Sequence, residues 1–262
     1  MIAIEEIYEL FLKHPFISTD SRHCKLGSLF FALKGENFNA NQFAAQALEN
    51  GCAYAFVDDK EYVLNEKTIL VENVLTCLQD LAKYHRLQLK TTIIAITGTN
   101  GKTTTKELVA SVLMKKYKVL YTEGNFNNHI GLPLTLLRLT KEHELAIVEM
   151  GANNMGEISF LSDIAKPDYG LITNIGRAHL EGFGSLENII KTKGELYDFI
   201  GATKGKVFIN IENEVLLSMA QGIELIKYGT NKESFVKGSV VSLSPFLKIN
   251  WSLENSDVVY EI

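Results

Sequence analysis

Residues 93–104 read Ile-Ile-Ala-Ile-Thr-Gly98-Thr99-Asn100-Gly101-Lys102-Thr103-Thr104, an apolar stretch, a glycine-bearing turn, then Lys-Thr. Glycines let backbone N–H groups close around phosphate oxygens, and a helix opening at Lys102 adds the partial positive charge of its N-terminus. Lys102 is placed to neutralise β- and γ-phosphates, and the Thr103 hydroxyl to ligate Mg²⁺. The spacing departs from the general G-x-x-x-x-G-K-[ST] pattern, because Ile96 stands where the first glycine belongs. The alternative is an ordinary glycine turn with a helix-capping Lys-Thr. The order strand, loop, helix favours phosphate.

Three further residues carry chemistry. Glu149 closes the apolar run Leu145-Ala-Ile-Val-Glu149, and an acid at a strand's carboxyl end near a phosphate loop suits a Mg²⁺ ligand. His179, just past Tyr169–Thr173, can ligate a second Mg²⁺ or orient a substrate. Lys193 lies in the apolar stripe Leu186, Ile189, Ile190, Leu196, Tyr197 and Ile200, so it points inward while Lys191 points out. A buried ammonium is costly unless paired or neutralised. Lys193 is therefore either a lysine snorkelling at a domain rim or a group beside the phosphate and metal site. In the second case a lowered pKa would let it take up CO₂ as a carbamate, an anion able to hold Mg²⁺.

The elements that must position these groups alternate. Residues 1–88 read as a small α/β unit, with helices at 4–13, 43–50 and 74–87 and strands at 28–33, 53–57 and 68–71. A boundary is expected near 89–92. Beyond it strands are expected at 93–97, 119–122, 145–149, 169–173 and 207–210. Helices fall between them at 102–116, 132–139, 157–165 and 186–200, the first burying Leu108, Val109, Val112 and Leu113. Such alternation implies a mostly parallel sheet covered on both faces, with ligands at the strands' carboxyl ends. Gly98–Thr103, Glu149, Asn174–His179 and Asn210 fall at those ends. From Lys237 the alternation of Leu247, Ile249, Trp251 and Leu253 predicts antiparallel strands, and Val258–Ile262 a last strand with no closing turn. The expected fold class is α/β, with domains at 1–88 and 89–262, the second incomplete.

Of the 262 residues 46% are hydrophobic and 22% charged, which suits a globular chain. The net charge of -5 divides as -4 over residues 1–88 (8 basic, 12 acidic) and -1 over the rest (18 against 19), so neither part looks like a nucleic-acid binder. Cys24, Cys52 and Cys77 lack metal-ligand spacing and suit a reducing, cytoplasmic setting. No signal peptide and no membrane span is expected.

Together these motifs resemble the Mur ligases, ATP-dependent amide-bond-forming enzymes of peptidoglycan synthesis. The segments 149–158, 173–185 and 191–196 look like the branch that joins D-alanyl-D-alanine to UDP-N-acetylmuramoyl-tripeptide. The resemblance implies a small N-terminal UDP-binding domain followed by a central P-loop ATPase domain. It implies ATP contacts at Gly98–Thr104, and an adenine contact at Asn210. Magnesium would be held by Thr103, Glu149, His179 and carbamylated Lys193, and Lys102, Lys193 and His179 would act in catalysis. Ser18–Arg22 resembles the UDP-binding segment, giving Ser21 and Arg22, although those residues alone read better as a polar loop. Asn125–Pro133 resembles the loop that touches the UDP-sugar, giving Asn127 and Asn128. The family's Asp-Gly-His is here Asn39-Ala-Asn41, which is left unassigned. The family's third, carboxy-terminal domain has no counterpart, so the fragment is expected to bind nucleotide, as a monomer, without ligating alone. The alternatives are a non-catalytic module that holds nucleotide or UDP-muramoyl peptide, and another Mur-type amino-acid ligase.

Overall fold

The computed structural model describes residues 2–176, 183–256 and 258–262. The chain forms two compact units, one of Met1–Thr91 with Thr122–Glu144 and one of Thr92–Tyr121 with Leu145–Ile262.

The first unit runs α1 (Ile4–Lys13), β1 (Ile17–Ser18), β2 (Leu29–Phe31), a hairpin of β3 (Lys34–Gly35) and β4 (Phe38–Asn39), α2 (Ala44–Glu49), β5 (Tyr54–Val57), β6 (Thr68–Leu70) and α3 (Val74–Leu87). Its four-stranded sheet has the order β1-β2-β5-β6, all parallel. A parallel strand covered on both faces needs apolar residues at every position, and Leu29, Phe30 and Phe31 are all buried. Asn73 starts α3 by accepting a hydrogen bond from the Thr76 N–H. Lys34 pairs with Asn39 and Gly35 with Phe38 in the small hairpin.

The second unit begins with β7 (Thr92–Thr97), α4 (Lys102–Leu113) and β8 (Val119–Tyr121). The chain then returns to the first unit for α5 (Gly131–Leu136), and resumes with β9 (Leu145–Glu149), α6 (Glu157–Ala165), β10 (Tyr169–Ile172), α7 (Leu186–Ala202), β11 (Lys206–Asn210), α8 (Glu214–Met219), β12 (Glu224–Gly229), β13 (Val236–Ser242), β14 (Lys248–Leu253) and β15 (Tyr260–Glu261). The nine-stranded sheet has the order β15-β14-β13-β12-β11-β10-β7-β9-β8. It is parallel from β8 to β13 and antiparallel through β14 and β15. No helix among the described residues is long and apolar enough to cross a membrane.

Two expectations are corrected. The first concerns the boundary: residues 122–144, expected in the second domain, belong to the first unit. Leu132 and Leu136 are fully buried, and α5 packs on α3. Gln79 Nε2 donates to the His129 carbonyl at 2.9 Å, His85 Nε2 to the Leu139 carbonyl at 3.0 Å, and Thr91 Oγ1 to the His143 carbonyl at 2.8 Å. The second concerns α4. Leu108 and Val112 are 63% and 69% exposed, and the buried positions are Lys106 and Ala110. The stripe is rotated by about one position. Val109 and Leu113 pack on the sheet beside Ala110, and the Lys106 ammonium lies 2.8 Å from Glu107 and 5.5 Å from the centre of the Tyr121 ring.

Candidate functional site

Strand β7 lies between β10 and β9, all parallel, so three strand tips sit side by side. The loop leaving β7 therefore has Thr173 and Asn174 on one flank and Glu149 and Met150 on the other. Gly98 has φ +142°, and a Cβ there would lie 2.1 Å from Thr173 Oγ1 and 3.1 Å from the Thr173 nitrogen. Gly101, with φ +76°, is the left-handed residue that opens α4. Both positions need glycine, one for close approach and one for backbone conformation. The Lys102 ammonium arches back over the loop, donating to the carbonyls of Gly98 (2.9 Å) and Thr99 (3.1 Å). Thr103 and Thr104 are exposed in the first turn of α4, where helix N–H groups lack intrahelical partners. The loop thus offers amide donors, a cation and hydroxyls in one place, a composition suited to a polyphosphate.

Glu149 is 2% exposed and opposite Ile96 in the register of β9 with β7. The turn that follows is held by two glutamates. Glu157 accepts from the Asn153 N–H at 2.7 Å and from Asn154 Nδ2 at 3.0 Å. Glu195, on α7, accepts from the N–H groups of Gly156 (2.6 Å) and Ser159 (2.8 Å).

Lys193 is only 4% exposed, whereas Lys191 is exposed, as the helical stripe predicts. Burial pushes the Lys193 ammonium down to about 8, the positive charge of Lys102 acts in the same direction, and Glu157 and Glu195 oppose both. Lys193 therefore feels the phosphate-loop lysine. Its Nζ lies 5.5 Å from the centre of the Phe183 ring. An inward lysine with a fraction of neutral amine near neutral pH can act as a nucleophile toward CO₂, as well as a cation toward phosphate.

His179 lies outside the described residues. Asn210 ends β11, two strands from β7, where its Oδ1 accepts from the Glu212 N–H at 2.9 Å. For a hard divalent cation the donor set fits by chemistry. The Thr103 hydroxyl and the Glu149 carboxylate are oxygen ligands, and phosphate oxygens complete such sites for Mg²⁺. The ammonium of Lys193 is no ligand; only its carbamate would be. Among the described residues no group of three or more His, Cys, Asp or Glu is clustered to hold a metal alone.

The four residues expected to meet the UDP-sugar all lie in the first unit. Ser21 is buried, and its hydroxyl donates to Gln46 Oε1 at 2.8 Å. Arg22 is exposed and forms a two-pronged pair with Asp20 at 2.8–2.9 Å. Asn128 Oδ1 accepts from the N–H groups of Ile130 and Gly131, so it shapes the start of α5. Asn127 is half-buried in the same turn. A cavity of about 420 Å³ has walls from neighbours of these residues, among them Ser18, Asp20, Lys25, Phe126 and Arg138. Sequence reasoning missed Lys25 and Arg138 as wall residues, since neither carries a motif, and Arg138 reaches this unit only through the return of residues 122–144. It placed Asn174 at a strand tip and Glu195 in a family-like segment but gave neither a role, because their work is done on distant backbone.

Comparison with known proteins fits this architecture. Residues 96–256 match the Mur ligase middle domain, and residues 14–86 the catalytic domain of the Mur ligase family. The UDP-N-acetylmuramoyl-tripeptide--D-alanyl-D-alanine ligase of Haemophilus influenzae is 44% identical over 205 residues, covering 76% of this chain and 44% of that protein. The Bacillus subtilis ligase of the same name is 44% identical over 216 residues, covering 82% and 47%. Crystal structure I of MurF from Acinetobacter baumannii superposes with a TM-score of 0.81 at 35% identity, over 94% of this chain and 54% of that one. MurF ligase from Thermotoga maritima in complex with ADP gives 0.83 at 28% identity, over 94% and 57%. The chain thus spans about half the length of the relatives it matches. With a glycine loop at the tip of β7, a buried glutamate on the neighbouring strand, an inward lysine on α7, and a family match over most of its length, the chain belongs to the Mur ligase family.

Proposed function

We propose that this chain supplies the nucleotide- and UDP-sugar-binding parts of an ATP-dependent ligase joining D-alanyl-D-alanine to UDP-N-acetylmuramoyl-tripeptide in peptidoglycan precursor synthesis. The observation that carries the reading is the glycine loop leaving β7, where Lys102 opens α4 and donates to the Gly98 and Thr99 carbonyls, in a chain 44% identical to ligases of that name. A carboxylate is a poor acyl donor and hydroxide a poor leaving group, so amide formation needs activation. The tripeptide carboxylate would attack the γ-phosphate of ATP, giving an acyl phosphate and ADP. The dipeptide amine would then attack the acyl carbon and release phosphate.

In this reading the loop amides and Lys102 orient the triphosphate and spread the charge that develops on the transferred group. Asn210 contacts adenine, while Ser21, Arg22, Asn127 and Asn128 serve the UDP-sugar. Thr103, Glu149, His179 and carbamylated Lys193 would hold Mg²⁺, which supplies neutralisation of phosphate charge. The setting is cytoplasmic, and the chain acts as a monomer.

Calorimetry on the 262-residue chain tests the recognition half. MgATP and UDP-N-acetylmuramoyl-tripeptide should each bind, and Lys102→Ala should weaken MgATP by at least about tenfold, the worth of one charge-assisted contact. Unchanged MgATP binding in that variant would overturn the assignment of the loop. An amide-forming assay over dipeptide and amino-acid acceptors, on a full-length form of the protein, tests the rest. Selective use of D-alanyl-D-alanine supports the reading, and preference for a single amino acid would point to another Mur-type ligase. Binding of both ligands without amide formation would leave a holder of nucleotide and UDP-peptide.

A further inference from the structure

The loop after β7 is held by a residue that neither the motif nor the proposed chemistry uses. Asn174 Oδ1 accepts from the Asn100 N–H at 3.1 Å, and its Nδ2 donates to the Asn100 carbonyl at 3.0 Å. Its own carbonyl accepts from the Thr99 N–H at 3.0 Å. Thr173 Oγ1 adds a 2.7 Å bond to the same Asn100 carbonyl. Thr99 Oγ1 in turn accepts from the Gly176 N–H at 2.9 Å. One side-chain amide therefore grips both polar groups of a single loop residue, which neither a carboxylate nor an apolar isostere can do.

We infer that Asn174 is a positioning residue of the phosphate loop, fixing the Asn100 carbonyl so that the next amides face the nucleotide. A trans peptide carries its C=O and N–H in opposite directions. With the Asn100 carbonyl tied toward the tip of β10, the Gly101 N–H in the same peptide unit must point to the other side. Gly101 then takes its left-handed conformation (φ +76°), and α4 opens at Lys102. The Asn100 N–H is already committed to Asn174, so the donors left for phosphate begin at Gly101. These bonds lie wholly within the protein, so they limit the ordering that binding would otherwise require.

This inference rests on the nucleotide reading, and its test separates the two. Asn174→Ala and Asn174→Asp are made in the 262-residue chain. Amide hydrogen exchange is followed without ligand, and MgADP affinity by calorimetry. Losing two hydrogen bonds should speed exchange at Asn100, whose N–H loses its acceptor, by about tenfold or more and weaken MgADP by a similar factor, while β7 and β10 keep their protection. Asn174→Asp retains the acceptor for the Asn100 N–H but sets a negative charge against its carbonyl, so it should do no better than alanine. Unchanged exchange at Asn100 in Asn174→Ala, equal acceleration throughout the unit, or MgADP affinity kept within twofold would each overturn the role of Asn174. Failure of the unsubstituted chain to bind MgADP would instead overturn the nucleotide reading, and with it the purpose assigned to the held loop, whatever the exchange shows.

Discussion

Lys193 shows how one side chain can be read in sequence and weighed in structure. Its place in the stripe of α7 predicts an inward ammonium, and it is 4% exposed. Burial and the charge of Lys102 both oppose its protonated form. A residue kept in such a place by chemistry costs stability. Lys193→Met preserves much of the length and removes the charge, so it should stabilise the second unit by about 1–3 kcal/mol while abolishing amide formation by a full-length form. A lower thermal midpoint for this variant would mean that the buried ammonium is well paired. Gly98 is legible in sequence as a loop glycine. That its missing side chain makes room for Thr173 is visible only in the fold.

At the scale of elements, α6 begins without a cap of its own. Its N-cap is Gly156, in the left-handed region, with no side chain to accept the first amides. The acceptor comes from another helix, through Glu195 of α7 and its bonds to the Gly156 and Ser159 N–H groups. A carboxylate at a helix N-terminus satisfies orphan donors and meets the favourable end of the helix dipole. Glu195→Ala should lower stability by about 1–2 kcal/mol and raise hydrogen exchange over 156–160, with Glu195→Gln recovering part of the loss. Equal effects of the two substitutions would show that the amides do not depend on this acceptor. Glu195 lies two residues from Lys193, so α7 both braces the turn after Glu149 and presents the lysine. Helical periodicity identifies α7 but says nothing of which helix needs its glutamate.

At the scale of the whole chain, the two units are interleaved in sequence. The segment 122–144 leaves the second unit after β8, contributes α5 to the first, and returns as β9. The Leu136 side chain is fully buried in the first unit. Leu136→Ala should therefore destabilise that unit by about 2–4 kcal/mol, the usual range for a large-to-small change in a core. Protection in α3 should fall while protection in β7 is retained, and MgADP affinity should stay within twofold. Loss of protection in β7 as well would show that the chain unfolds as one cooperative body.

The sequence by itself determined the α/β class, most strand and helix positions, the glycine loop after β7 and the inward face of α7. All of these follow from local periodicity, glycine placement and the order of elements along the chain. Only the tertiary structure decided that residues 122–144 join the first unit, that α4 turns Lys106 rather than Leu108 inward, and that Asn174 and Glu195 bind backbone at a distance. Those outcomes depend on which surfaces meet. A polar side chain bonded to remote main chain leaves no periodic trace, and an apolar segment carries no record of which core it will enter.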